Sequence, residues 1–283
     1  MTYRQLFTRG KEELSRALVP EAELDARLLL EYACEITRSD LLVHGDREAT
    51  AEQEELYLSL LTRRSERIPL QHLTGTQEFM GLTFEVDENV LIPRQDTEIL
   101  VEEVMKDLHG GSSILDLCTG SGCILISLLN YSNDCRGVGV DLSPAALSVA
   151  RKNAQRLIPS KDCNFLEGNL FAPVTGKFDI LTSNPPYIPS NVVDGLMPEV
   201  RDHEPRMALD GLEDGLFFYR RILAECPPYL HAGSEAYFEI GYDQGPAVSE
   251  LMQNSGFTEI RVIQDYAGLD RVVRGIYTPH DGL

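Results

Sequence analysis

The chain is short of basic residues. Its 283 residues hold 25 Lys and Arg against 45 Asp and Glu, a formal net charge of −20. Phosphate backbones are gripped by Lys and Arg, so a field of this sign speaks against nucleic acid as a direct partner and suits a basic protein. Paired cysteine motifs are missing as well. Cys34, Cys118, Cys123, Cys135, Cys163 and Cys226 form no C-x-x-C and no Cys/His cluster of zinc spacing. Free thiols and no metal site are therefore expected. No basic-then-apolar pattern opens the sequence, and no apolar run reaches bilayer-spanning length, so a cytoplasmic protein away from membranes is expected. Internal repeats and low-complexity tracts are absent.

What is present divides into three stretches. Residues 1–73 read as helical: Ala26, Leu29, Leu30 and Ala33 make an i, i+3, i+4, i+7 stripe, with Leu6, Leu14, Leu18 and Leu56 to Leu61 on either side. Pro20 and the pair Ser39-Asp40 read as breaks between helices. Residues 74–92 read as a β-hairpin linker, with Phe79, Leu82, Phe84 and Val86 alternating, Asp87-Glu88-Asn89 as the turn, and Val90-Leu91-Ile92 resuming. Residues 93–283 alternate strands and helices. Asp96 or Thr97 is the expected cap of the first helix; a later helix is expected over 220–230 and a strand over 236–240. This alternation predicts an α/β fold with a mostly parallel sheet covered on both faces.

Three places in that last stretch carry chemistry. Cys118-Thr119-Gly120-Ser121-Gly122 follows the strand Ser113–Leu117 and leads into a helix, so its glycines allow a ligand close to the backbone. Asp141 closes the next strand, where an acid takes both hydroxyls of a ribose. A dinucleotide loop needs a third glycine where Leu125 stands, and no G-K-[ST] occurs, so S-adenosylmethionine is the adenosine cofactor that fits. Asn169 and Leu170, after the third strand, are expected beside the adenine. Finally, the apolar run Phe178–Ser183 ends in Asn184-Pro185-Pro186-Tyr187. The prolines stop strand and helix alike and hold Asn184 and Tyr187 at the sheet's carboxyl edge. Arg94, just before the first α/β helix, is placed to face a bound ligand.

In this order the pieces resemble the class I S-adenosylmethionine-dependent methyltransferases, and more narrowly the HemK/PrmC family of protein-(glutamine-N5) methyltransferases. The narrower likeness rests on Asp25–Leu30, Pro69–Gly75, Glu78-Phe79, Val90–Arg94, Leu115–Leu117, Thr119–Gly122, Asn184–Ile188, Glu204-Pro205 and Asp270-Arg271. Cys118 replaces a usual Gly, Gln95 a common Pro, and Leu170 a frequent aromatic. The resemblance implies a Rossmann-like seven-stranded sheet with an N-terminal helical bundle that docks the substrate protein. It implies methyl transfer to the glutamine of the Gly-Gly-Gln motif in class I peptide chain release factors, by a monomer, with S-adenosylhomocysteine as product. Asn184, Pro185, Pro186 and Tyr187 would hold the acceptor amide, with Arg94 nearby. A methyltransferase for exocyclic amines of nucleic-acid bases shares the Asn-Pro-Pro-Tyr geometry and is the alternative; a cofactor-binding adaptor without catalysis is a second. The acidic stretch 194–214 is expected to form a mobile loop over the acceptor site.

Overall fold

The structure is a computed structural model that describes residues 1–279. Its contacts define two compact units, one of residues 1–76 with Met197–His203, the other of Gln77–Leu196 with Glu204 onward.

The first unit contains α1 (Tyr3–Arg16), α2 (Ala22–Cys34), α3 (Arg38–Val43), α4 (Ala51–Ser65) and α5 (Leu70–Thr74). Leu6, Leu14, Ala26, Leu29, Leu30, Tyr57 and Leu61 pack between the helices as one core. Ser39-Asp40 is not a break. Both residues lie inside α3, whose cap is Thr37; the Asp40 carboxylate accepts from the Thr37 N–H at 2.9 Å. The polar cluster is a capping box that opens the helix. Beneath the helices lies a buried ion cluster. Arg64 Nε donates to Asp25 Oδ2 at 2.7 Å and Arg64 Nη2 to Glu199 Oε1 at 2.9 Å. Arg67 adds a bidentate pair to Glu199 at 2.7 and 2.6 Å. Burial pushes the Asp25 carboxyl up, and Arg64 opposes that shift.

The second unit starts at Gln77, inside the hairpin β1 (Thr76–Phe79) and β2 (Leu82–Glu85). Its turn is Met80-Gly81, both at positive φ (51° and 68°), the two-residue geometry that follows strand twist. Asp87–Asn89 is not this turn, and Val90–Ile92 is not a strand, although Val90 and Ile92 are buried. No Asn-Gly or Asp-Gly marks the real turn, so its position is hidden in the sequence. Next come α6 (Gln95–Asp107), β3 (Ser113–Leu117), α7 (Cys123–Tyr131), β4 (Arg136–Asp141), α8 (Pro144–Leu157), β5 (Asp162–Glu167) and β6 (Phe178–Ser183). They are followed by α9 (Ser190–Val193), α10 (Pro198–Arg201, within the first unit), α11 (Phe217–Glu225), β7 (Leu230–Glu239), α12 (Gly245–Asn254), β8 (Phe257–Gln264) and β9 (Asp270–Tyr277). The α11 helix stops at Glu225, ahead of Pro227-Pro228, and β7 runs from Leu230. The expected helix over 220–230 is thus cut short by proline, and the expected strand over 236–240 gains six residues at its start. Arg94, not Asp96 or Thr97, occupies the cap position of α6, with no side-chain capping bond.

The seven-stranded sheet has the order β5-β4-β3-β6-β7-β9-β8, with β9 antiparallel to both neighbours and the rest parallel. Alternate residues of each strand face opposite layers. Ile114 and Ile180 join Leu100, Val104, Leu128 and Leu147 on one side. Leu115, Leu117 and Leu181 join Tyr219, Ile222 and Val248 on the other.

Removing one partner of a buried ion cluster strands the others. Arg64→Ala should destabilise the protein by about 3 kcal/mol in urea unfolding. An unfolding midpoint equal to wild type would show that water replaces the guanidinium without penalty.

Candidate active site

The parallel register builds the site. Leu117 pairs with Val140 on one side and Ser183 on the other, and Ser183 pairs with Phe238. One residue further on, four neighbouring strands therefore deliver Asp141, Cys118, Asn184 and Glu239 to the same carboxyl edge. This is where strand order reverses about β3, the place where open α/β sheets hold ligands.

On the β3–β4 side the turn after β3 is strained open. Cys118, Gly120 and Gly122 have φ of 59°, 54° and 80°. Gly122 is the cap residue of α7, and a Cβ there would sit 2.9 Å from Ile126 Cδ1. Asp141 ties the turn down: its Oδ2 accepts from the Gly120 N–H and its Oδ1 from the Ser143 N–H, both at 2.9 Å. Each oxygen keeps a lone pair for an incoming hydroxyl. Burial raises the pKa of Asp141, and the backbone N–H groups pull it back. Behind it Asp116 is fully buried, accepts from the Thr119 and Thr182 hydroxyls at 2.5 and 2.8 Å, and is pushed by burial up to about 7.

On the β6 side the turn Asn184–Tyr187 is gripped from outside. Pro185 and Pro186 are buried. The Tyr187 carbonyl accepts from Gln244 Nε2 at 3.1 Å, and Ile188 exchanges backbone hydrogen bonds with Leu209 and Gly211. Gly215 has φ +72°, and a Cβ on it would lie 2.2 Å from that same carbonyl oxygen. The segment 194–214 carries the short helix α10, a 3-10 turn at Arg206–Ala208, and these bonds back to the strand end.

Arg94, Thr119, Gly120, Ser121, Cys118, Asp141, Asn169, Leu170, Asn184 and Pro186 all line one cavity; Gly122, Pro185 and Tyr187 do not. Arg94 Nη2 is paired with the buried Glu204 carboxylate at 2.6 Å. Asn169 accepts from Arg221 Nη1 at 3.0 Å. Sequence reasoning missed Thr97, Leu142, Ala146, Pro205, Met207 and Phe218 in the lining. Thr97, read as a cap, points into the site instead and accepts from Asn184 Nδ2 at 3.4 Å. The i+1 position after Asp141 was the available signal for Leu142. Among the described residues no cluster of His, Cys, Asp and Glu is disposed to hold a metal, and no helix is long and apolar enough to cross a membrane.

The cavity fits S-adenosylmethionine. It offers a fixed carboxylate for ribose hydroxyls and apolar Leu142, Ala146 and Leu170 for a purine. At Gly120 no atom lies within 4 Å of where a Cβ would be. With this topology, the site defines a class I S-adenosylmethionine-dependent methyltransferase. A methyltransferase structure from Pyrococcus furiosus shares the fold, with a TM-score of 0.53 at 17% identity over 70% of this chain and 90% of that one. Two family models match, the PrmC N-terminal domain over residues 5–75 and the methyltransferase small domain over residues 94–197. The release factor glutamine methyltransferase of Caulobacter vibrioides is 41% identical over 99% of this chain and 98% of its own length. That of Moorella thermoacetica is 43% identical over 96% and 97%. The chain belongs to the release factor glutamine methyltransferase family.

Asp141→Ala removes the carboxylate that the sequence places at the ribose and frees the Gly120 turn. Calorimetric titration with S-adenosylhomocysteine should show affinity reduced by about 10- to 100-fold, the worth of one or two charged hydrogen bonds; unchanged affinity would remove Asp141 from the site. Gly215→Ala, forced to a left-handed φ against a carbonyl, should lower stability by about 2 kcal/mol or more in thermal unfolding. An unshifted midpoint would mean the turn yields freely.

Proposed function

We propose that this chain transfers a methyl group to the side-chain amide nitrogen of the glutamine in the Gly-Gly-Gln motif of class I peptide chain release factors. The observation that carries the reading is the cavity itself, in which Asn184 stands two strands from Asp141, across the β3 turn. The full-length likeness to enzymes of that name supports the choice of acceptor. The strongly acidic surface favours a protein acceptor over nucleic acid. On this reading residues 1–73 dock the release factor, residues 74–92 link, and residues 93–283 catalyse. The enzyme acts in the cytoplasm as a monomer.

S-adenosylmethionine, when bound, supplies an electrophilic methyl group on sulfonium. An amide nitrogen is a poor nucleophile because its lone pair is shared with the carbonyl. The protein's task is to aim that lone pair and to favour positive charge developing on nitrogen. Asn184 Oδ1 and the Pro185 carbonyl accept the two amide N–H bonds, which does both. Proline has no N–H, so its carbonyl is offered without a competing donor. Tyr187 backs the clamp from outside the cavity, its hydroxyl on Glu239, and the proton leaves to water after transfer.

The test is transfer of labelled methyl to purified release factor, tRNA, rRNA or DNA, followed by location of the label. Label in the glutamine side chain of the release factor is expected; label in a nucleic acid would replace this reading. In the same assay Asn184→Ala should lose about 10²- to 10³-fold in turnover while binding S-adenosylhomocysteine normally. Near-normal turnover would take Asn184 out of the clamp.

A further inference from the structure

Glu239 is the buried group at this edge that the mechanism above does not use. It ends β7, beside Asn184 across the β6–β7 register, and its side chain is shut away from water. Its Oε1 accepts from the Tyr187 hydroxyl at 3.3 Å. Its Oε2 is buried with no hydrogen bond of ordinary geometry. The Thr97 hydroxyl stabilises the charged carboxylate through a looser contact, and Thr97 Oγ1 in turn accepts from Asn184 Nδ2 at 3.4 Å. Glu239, Thr97 and Asn184 thus form a chain in which each member constrains the next.

We propose that Glu239 is a positioning residue of the acceptor site: through Thr97 it fixes which way the Asn184 amide faces. A hydroxyl has one hydrogen. With that hydrogen turned to the Glu239 carboxylate, Thr97 Oγ1 has only lone pairs for Asn184. Asn184 must then offer Nδ2 to Thr97, which leaves Oδ1 facing the cavity as an acceptor. That is the face an incoming amide N–H needs. Were Thr97 released from Glu239, its hydrogen would turn to Asn184 Oδ1. Nδ2 would then face the cavity, donor against donor. The inference rests on Asn184 as the acceptor clamp.

The ionisation of Glu239 is set by every element around it. Burial raises its pKa to about 7; Thr97 and Tyr187 oppose this by hydrogen bonding and Arg271 on β9 by its charge, while Asp96 on α6 adds to the rise. Tyr219 on α11 donates to the Glu239 backbone carbonyl at 2.7 Å, and the Cys123 thiol on α7 also faces the carboxylate. The ionised form draws the Thr97 hydrogen most strongly, whereas the protonated acid carries a hydrogen of its own to donate to Thr97, so turnover should fall as pH drops through about 7. Asp116 has a similar range, but it is retained in every variant below and contributes equally to each profile.

The experiment compares Glu239→Gln, Thr97→Val, Thr97→Ser and Asn184→Ala with wild type, using release factor as acceptor. Glu239→Gln loses the charge and its new amide meets Thr97 with its oxygen or its NH2, so the Thr97 hydrogen is no longer directed. Its kcat should fall about 10- to 100-fold, with S-adenosylhomocysteine affinity and thermal midpoint held, and its acidic fall should be shallower than that of wild type. Thr97→Val should lose kcat similarly, and Thr97→Ser, which keeps the hydroxyl, should recover it. Wild-type kcat and an unchanged pH profile in Glu239→Gln, beside an inactive Asn184→Ala, would overturn this inference and leave the clamp standing. An active Asn184→Ala would overturn the clamp itself.

Discussion

Parallel strand register is the constraint on which the site depends. Backbone hydrogen bonding between β4, β3, β6 and β7 fixes the rung on which each strand ends, and the residues one step beyond are Asp141, Cys118, Asn184 and Glu239. A slip of one residue in any pair would turn the functional side chain to the opposite layer. The two hydrophobic layers prevent that slip, because Ile114 and Leu115, or Ile180 and Leu181, would exchange faces with it. The cores therefore stabilise the sheet and also specify where its ends fall.

Groups at that edge are kept polar under burial, and each is treated differently. Asp141 receives two backbone N–H bonds and keeps lone pairs toward the cavity. Asp116 receives two threonine hydroxyls and has no outlet to solvent. Glu239 shares one oxygen with Tyr187 and meets the Thr97 hydroxyl only through a looser contact. Satisfied carboxylates hold structure; an incompletely satisfied one in a water-poor site is where protonation and hydroxyl orientation become coupled.

Much of this was legible in the sequence because it is written locally. The strand Ser113–Leu117 and the run Phe178–Ser183 are found where apolar runs ended by glycine or proline placed them. The glycine turn, Asp141 and Asn184 each stand at the end of a strand that the sequence marks locally. Thr97 and Glu239 were not legible as partners. One lies in the first turn of a helix and the other ends a strand 142 residues later; a side-chain hydrogen bond joins the first to Asn184 and sheet pairing sets the second beside it. The Met80-Gly81 turn was hidden for another reason: methionine rarely takes the left-handed φ it adopts there. At Ser39-Asp40 the residues that end one helix and begin another are the same types, so composition alone misplaced the boundary by two or three residues.

The ion cluster of the first unit has a consequence for how that unit is delimited. Its contiguous part ends at Thr76, yet Met197–His203 packs with it, and Glu199 from that segment takes both Arg64 and Arg67. A polypeptide cut after residue 76 would leave the buried Arg64 with Asp25 alone and Arg67 without the carboxylate that neutralises it. The helical unit is thus complete only when a strand of chain more than a hundred residues downstream is supplied. Its true boundary is drawn in charge, and sequence position alone does not find it.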